Sequence, residues 1–454
     1  MTMTEAPTAI LARWCAEAPR DWSATSRDGA RRAILDTLAV MLAGQNEAST
    51  LAVRRGVAGW GSGGCFVVGA PGGMPAPAAA LVNGTAAHAI DYDDVQNPAM
   101  SHPSTALVPA LLALAEATGA GPTQMVDAYL VGFEVMARLG EAMNLEHYRR
   151  GWHTTLSLGS PGVAAACGRM LGLDAQRMAM ALSLSTSMAG GSKRQFGTMA
   201  KPLHAGLAAK NGMVAAQLAA AGVEGFPEPF EGKWGYRELM AGDASPGFAG
   251  LAERIGRPPA MEQHGVWLKA YPCCASTHRP VDALRALALQ GAQVTRIEAL
   301  VSEVAAANLR YRIPTTPSEA RFSLPYCLAA AMQDGTLNMA SFTPEAIARP
   351  SLLPLMERIE MRVDPELRGN LPVNESSERG TVLVSLADGS TRREVSTVPR
   401  GHPEAPLSEA ELGAKFLDCA RDALPPPRAA AALERLQRFE GLNRIEEVTA
   451  LLRA

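Results

Sequence analysis

Apolar and polar positions in the first half of the chain recur at intervals of three and four. Between residues 26 and 44, Ala30, Ile34, Leu35, Leu38, Ala39 and Leu42 fall on one helical face, and Gly44 is a natural stop. Residues 103–118, 123–143, 161–171, 175–188 and 202–221 also read as helices. Several are apolar on nearly every side, which places them inside a bundle.

The texture changes near residue 262. Residues 296–305 and 358–363 are rich in β-branched side chains, and residues 381–386, Asp388-Gly389 and residues 391–398 form a hairpin signature. Helical patterning returns at Leu407, where Ser408 and Glu411 have capping-box spacing, and runs through Glu434 to Leu452. Pro425-Pro-Pro reads as a short break between helices. A chain of 454 residues is too long for one ordinary core. The pattern therefore predicts a mainly α protein: a large all-helical domain from residues 1–262 and 400–454, interrupted by a smaller α+β domain at 263–399. Clefts between domains are common ligand sites.

Composition narrows the partners. With 42 Lys+Arg against 45 Asp+Glu there is no broad basic field, which argues against nucleic acid or an anionic membrane and for a small molecule. Aromatic residues make up 5% and alanine is abundant, a bias toward closely packed helices. Seven scattered cysteines, with no basic n-region before an apolar run, point to the reduced cytosol. No stretch of about 18 uncharged apolar residues suggests a membrane span.

Five of the eight histidines (His88, His102, His147, His153, His204) lie between residues 88 and 204, whereas GxSxG, HExxH, P-loop and paired CxxC motifs are absent. The glycine-rich run from Gly59 precedes the apolar residues Cys65 to Val68 and does not join a strand to a helix, so it does not read as a dinucleotide site. Asp91, Asp93 and Asp94 stand shortly before His102, and Pro103 suits the first position of a helix capped by His102. Two readings remain: a helix-entry loop with solvated acids, or a carboxylate that orients a histidine. Lys201 precedes Pro202 at another helix start, with His204 in the first turn. Lysine, a possible histidinium and free amides would converge there on a carboxylate. Lys210 reads as a surface or packing residue.

Lys269, Tyr271, Cys273, Cys274 and His278 form a third group. Adjacent cysteines make a poor metal clamp and a strained disulfide, so reduced thiols are expected, with Cys274 near substrate and Cys273 in the wall. His278 reads equally as a structural residue at a helix start and as a catalyst. His147, Tyr148, Arg149 and Arg150 before Gly151-Trp-His153 read as a cavity rim or a solvated loop.

The segments HAIDYDDVQNPAMSHPS, GWHTTLSLGSPGVAAACGRMLGLD, FGTMAKPLHAGLAAKNG, KAYPCCASTHRPVDA and EARFSLPYCLAAAMQDG occur in that order. Together, over nearly the whole chain, they resemble the MmgE/PrpD family, which includes 2-methylcitrate dehydratase, cis-aconitate decarboxylase and iminodisuccinate epimerase. The resemblance implies a helical domain with a smaller α+β lid, a homodimer, and no required metal or organic cofactor. It places Asp91, His102, His153, Lys201, Lys269 and Tyr326 around the cleft. In the decarboxylase branch a threonine stands where this chain has Val95 and a histidine where it has Cys274, departures that point away from decarboxylation of cis-aconitate.

The chemistry shared by these activities moves a proton on carbon beside a carboxylate, which requires a cation to stabilise the enolate-like charge. The expected roles are carboxylate binding by Lys201 and Lys269 with His204 and Cys274 as further contacts, acid/base work by His102 or His153 oriented by Asp91, and proton donation by Tyr326. The leading expectation is a dehydratase-type lyase on a 2-methylcitrate-like di- or tricarboxylate. An epimerase of a dicarboxylate such as iminodisuccinate, a cis-aconitate-type decarboxylase and a non-catalytic carboxylate-binding protein are the alternatives.

Overall fold

The computed structural model describes residues 5–289, 293–367 and 378–453. The periodic segments of the sequence are helices in it. Ala24–Ala43 is capped by the Ser23 hydroxyl, which accepts from the Ser26 amide, and its C-cap is Gly44. Pro103–Thr118 buries every residue from Pro103 to Ala115, the behaviour of a helix surrounded by others. It packs with Ala76–His88, Gly159–Met170 and Ala200–Ala220, and Pro122–Met143 packs on Gly159–Met170. No described helix is long and apolar enough to cross a membrane.

One apolar core runs from Leu11 through this bundle and takes in Leu412, Phe416, Leu436 and Val448 from the C-terminal helices. Glu409–Ala420, the first of these, carries the expected capping box, with Ser408 and Glu411 satisfying each other's amides. Pro426 does more than break the chain, because it opens the helix Pro426–Gln437, where its missing N–H costs nothing.

A second apolar core joins Tyr271, Val281, Ile297, Tyr326, Val382 and their neighbours. Its sheet has the order β2-β1-β3-β4, formed by β1 (Val294–Val301), β2 (Ile359–Val363), β3 (Gly380–Leu386) and β4 (Thr391–Ser396). β1 runs parallel to β2, pairing Ile297 with Ile359, and antiparallel to β3, pairing Ala299 with Val382. β3 and β4 are antiparallel neighbours joined at Asp388-Gly389, where Gly389 takes a φ of 86° that suits glycine. β-branched texture continues past β1 in the sequence, but the strand ends at Val301. The Ser302 hydroxyl then accepts from the Ala305 amide and starts the helix Glu303–Asn308. Ala275–Ala286 packs on β3 and β4 and against Leu324–Asp334.

One helix crossing sets up everything that follows. A Cβ at Gly84 would stand 2.8 Å from the Cα of Gly206, and one at Gly206 would stand 2.2 Å from the Leu81 carbonyl oxygen. Only glycines allow Ala76–His88 and Ala200–Ala220 to approach this closely. The crossing puts residues that follow the first helix beside residues that start the second. Gly206→Ala is expected to destabilise the protein by about 1–3 kcal/mol through overpacking, seen as a lower denaturant midpoint with an unchanged slope.

Candidate active site

His88 ends one helix and His102 is the N-cap of another, and the loop between them carries the acids. Two of its residues, Asp91 and Met100, adopt left-handed φ values of 54° and 47°. Such conformations cost non-glycine residues energy and persist where the surroundings fix them. Backbone bridges from Val95 to Trp267 and from Gln96 to Ser101 hold the loop. From the far end of the chain, the Lys415 ammonium donates to the carbonyls of Tyr92 (2.8 Å) and Lys269 (2.9 Å) and pairs with Asp36 at 2.6 Å. Asp94 accepts from the Ser104 amide at 3.2 Å, tying the loop to the next helix.

Asp91 sits between two ammonium groups. Lys201 donates to Oδ2 at 2.8 Å, and Lys269 donates to Oδ1 and, at 2.9 Å, to the Asp91 carbonyl. Burial works against the carboxylate, but Lys201 and Lys269 overcome it and hold Asp91 well below the usual range. The same Asp91, raising the Lys269 pKa against the effect of burial, keeps that fully buried lysine charged. Two cations on one anion leave a positive excess beside the cavity.

His102 is oriented by Asp93. Its Nδ1 lies 2.6 Å from Asp93 Oδ2 and 2.8 Å from the Asp94 carbonyl oxygen. Both neighbours are acceptors, so Nδ1 carries the proton and Nε2 holds the lone pair. The orienting carboxylate is thus Asp93, whereas Asp91, expected in that role, is engaged by the lysines. Asp93 also accepts from His88 Nδ1, 3.0 Å from each oxygen. Burial lowers the His102 pKa, and Asp93 only partly offsets this, so the ring is neutral near pH 7 and able to accept a proton.

His153 pairs with His204 through their Nδ1 atoms at 2.9 Å, and its Nε2 is buried without a partner among the described residues. Burial, with His88 and Lys201 nearby, pushes the His153 pKa well down. Burial and Lys201 hold His204 at about 4, so it is not the histidinium its place in the first turn suggested.

A cavity of about 350 Å³ is lined by Asp91, His102, His153, Lys201 and Cys274, with Val95 and Lys193 also on its wall. Sequence reasoning named the first five as site residues. His204 and Lys269 lie behind it: His204 is turned to His153, and Lys269, entirely buried, clamps Asp91 and is not on the cavity wall. Tyr326 is not brought to the cavity. It is fully buried in the sheet-bearing core, where its hydroxyl donates to the Ser341 carbonyl and its ring packs near Phe342. Tyr148 and Arg149 reach the cavity, while His147 is buried with Nε2 2.7 Å from the Ser157 hydroxyl. All seven cysteines are unpaired and buried, and Cys273 packs in the wall with its Sγ 3.0 Å from the Thr277 hydroxyl. His278 is buried off the cavity wall, its Nε2 accepting from the Tyr271 amide at 3.4 Å. Lys193, Asp36 and Lys415 belong to no motif visible in the sequence.

Ligand-type atoms of His88, Asp91, Asp93 and His102 lie within 4.8 Å of one another. A cation there would have to displace two ammonium groups from Asp91 and the Nδ1 protons that face Asp93. The donor set fits a hydrogen-bonded network better than a metal cage.

Burial of neutral histidines carries a stability cost in acid. The pKa of His88 is pushed from 6.5 to about 3 by burial, and those of His147 and His204 to about 4. Because the unfolded chain binds these protons first, stability is retained above pH 6.5 and falls as the pH drops toward 4. Each group contributes up to about 1.4 kcal/mol per pH unit. Denaturant melts across that range should show the loss, and His147→Gln should shrink it.

Residues 9–249 match the model of the MmgE/PrpD N-terminal domain, and residues 271–440 that of the C-terminal domain. The chain is 31% identical to human cis-aconitate decarboxylase over 84% of its own length and 80% of the relative's, and 30% identical to the mouse protein of that name over 84% and 79%. Cis-aconitate decarboxylase from Aspergillus terreus is 26% identical over 86% of this chain and 83% of the relative.

Proposed function

The chain belongs to the MmgE/PrpD family, and on that premise we propose that it is a lyase that moves a proton on carbon beside a carboxylate of a small polycarboxylic acid. The observation that carries this reading is the fixed tautomer of His102, whose basic Nε2 shares a cavity with Lys201. In a dehydration, Nε2 takes the proton from the carbon next to the carboxylate. The electron pair spreads into that carboxylate, where the Lys201 ammonium stabilises the added charge. Asp93 offsets the imidazolium that forms, and the stored proton leaves with the departing hydroxyl as water. His153, on the same cavity, is the second acid/base group. Lys269 and Asp91 act as positioning residues that aim Lys201.

We favour a 2-methylcitrate-like hydroxy acid as substrate, since Val95 and Cys274, where the resemblance to the decarboxylase branch breaks, both face the cavity. The names of the relatives favour a second reading, decarboxylation of cis-aconitate. There the electron pair of the bond to CO2 shifts through the double bond onto the carbon beside another carboxylate, Lys201 stabilises the charge, and a solvent proton relayed by a cavity histidine closes that carbon.

Purified protein incubated with 2-methylcitrate, citrate, cis-aconitate and iminodisuccinate, followed by proton NMR and CO2 release, separates these. Loss of water from a hydroxy acid supports the dehydratase, and CO2 from cis-aconitate supports the decarboxylase. Turnover that survives Lys201→Ala would overturn the common mechanism.

A further inference from the structure

Charged groups on the cavity wall differ in what neutralises them. Lys201 is paired with Asp91 at 2.8 Å, Arg149 with Glu146 at 3.3 Å and Arg279 with Glu378 at 3.4 Å. Lys193 has no acidic partner among the described residues, and its ammonium lies 3.4 Å from the centre of the Tyr148 ring. A ring face attracts a cation without consuming its N–H donors, which stay available to a ligand.

The position is built. Lys193 donates its amide to the Gly151 carbonyl at 2.8 Å, and the His153 amide donates to Gly191 at 2.9 Å, so the strands of chain that carry Lys193 and His153 are pinned together. Tyr148 is fixed in turn: its hydroxyl donates to Asn308 Oδ1 at 3.2 Å, and Asn308 and Ser276 line the same cavity. Burial, with Arg310 nearby, brings the Lys193 pKa down to about 8, the state of a cation lacking its counter-ion.

We propose that Lys193, seated on Tyr148, is the subsite for the third carboxylate of the substrate, distinct from the one Lys201 stabilises, and so selects tricarboxylic over dicarboxylic acids. This rests on the carboxylate reading of the cavity. The chemical class of ligand is a tricarboxylate whose additional carboxylate group lies away from the reacting carbon.

Calorimetric binding of tricarballylate, which has neither a hydroxyl to lose nor a double bond, tests it against methylsuccinate, which lacks one carboxylate. Lys193→Met is expected to weaken tricarballylate binding about ten-fold or more, as loss of a charge-assisted hydrogen bond should. Methylsuccinate binding should stay within about two-fold of the wild type by the same conversion, and Lys193→Arg should recover most of the tricarballylate affinity. Equal weakening of both acids, or no change for tricarballylate, would overturn the subsite while leaving the carboxylate reading intact. A wild-type protein that binds neither acid would overturn both.

Discussion

Replacing His102 with asparagine is expected to reduce kcat by a factor of about 10²–10⁴, the usual contribution of a positioned general base, with little change in the melting temperature. The side chain is 15% exposed at the cavity wall, and asparagine retains a donor at roughly the place of Nδ1. The loss should therefore be confined to the chemical step. The pH profile gives a second readout in the wild type. Because burial lowers the His102 pKa, its basic form persists below the ordinary histidine range, so the acid limb of kcat/KM should lie below pH 6.5. Steady-state kinetics on the substrate that turns over, from pH 5 to 8, checks both.

The second large effect concerns stability as well as rate. Asp91→Asn would leave the ammonium groups of Lys201 and Lys269 facing a neutral amide, with Lys269 fully buried. Breaking a buried ion pair by removing one partner costs about 3–5 kcal/mol. Denaturant unfolding should show a loss of that order. Activity should fall at the same time, because Lys201 is no longer held where charge develops. Asp91→Asn with Lys269→Met should recover stability, removing the uncompensated charge, without restoring turnover.

Much of the scaffold is readable from spacing alone. Pro103 marks a helix start, Pro202 falls two residues inside another, the Ser408–Glu411 pair marks a third, and Asp388-Gly389 marks the hairpin, each through local chemistry that needs no tertiary contact. The short acidic run before His102 was legible as a candidate site for the same reason. What spacing does not reveal is where a side chain points. Asp91 and Asp93 stand two residues apart, and the left-handed turn at Asp91 sends one to the lysines and the other to His102. Lys269 and His204 sit in the expected segments but one layer behind the cavity, and Tyr326 is drawn into the sheet-bearing core by Ser341. Lys415 is 323 residues from Tyr92, whose carbonyl it holds, a separation no motif spans. Lys193 lies outside every distinctive segment, and it stands out only because no described residue is its acidic partner.

The most direct test of the central claim is the fate of solvent deuterium. Incubated in D2O with cis-aconitate or its methyl homologue, the protein should form a product bearing one deuteron on carbon beside a carboxylate, whether by adding water or by losing CO2. His102→Asn should form it at least about 10²-fold more slowly. Product without carbon-bound deuterium, or a His102→Asn rate equal to the wild type, would contradict the account.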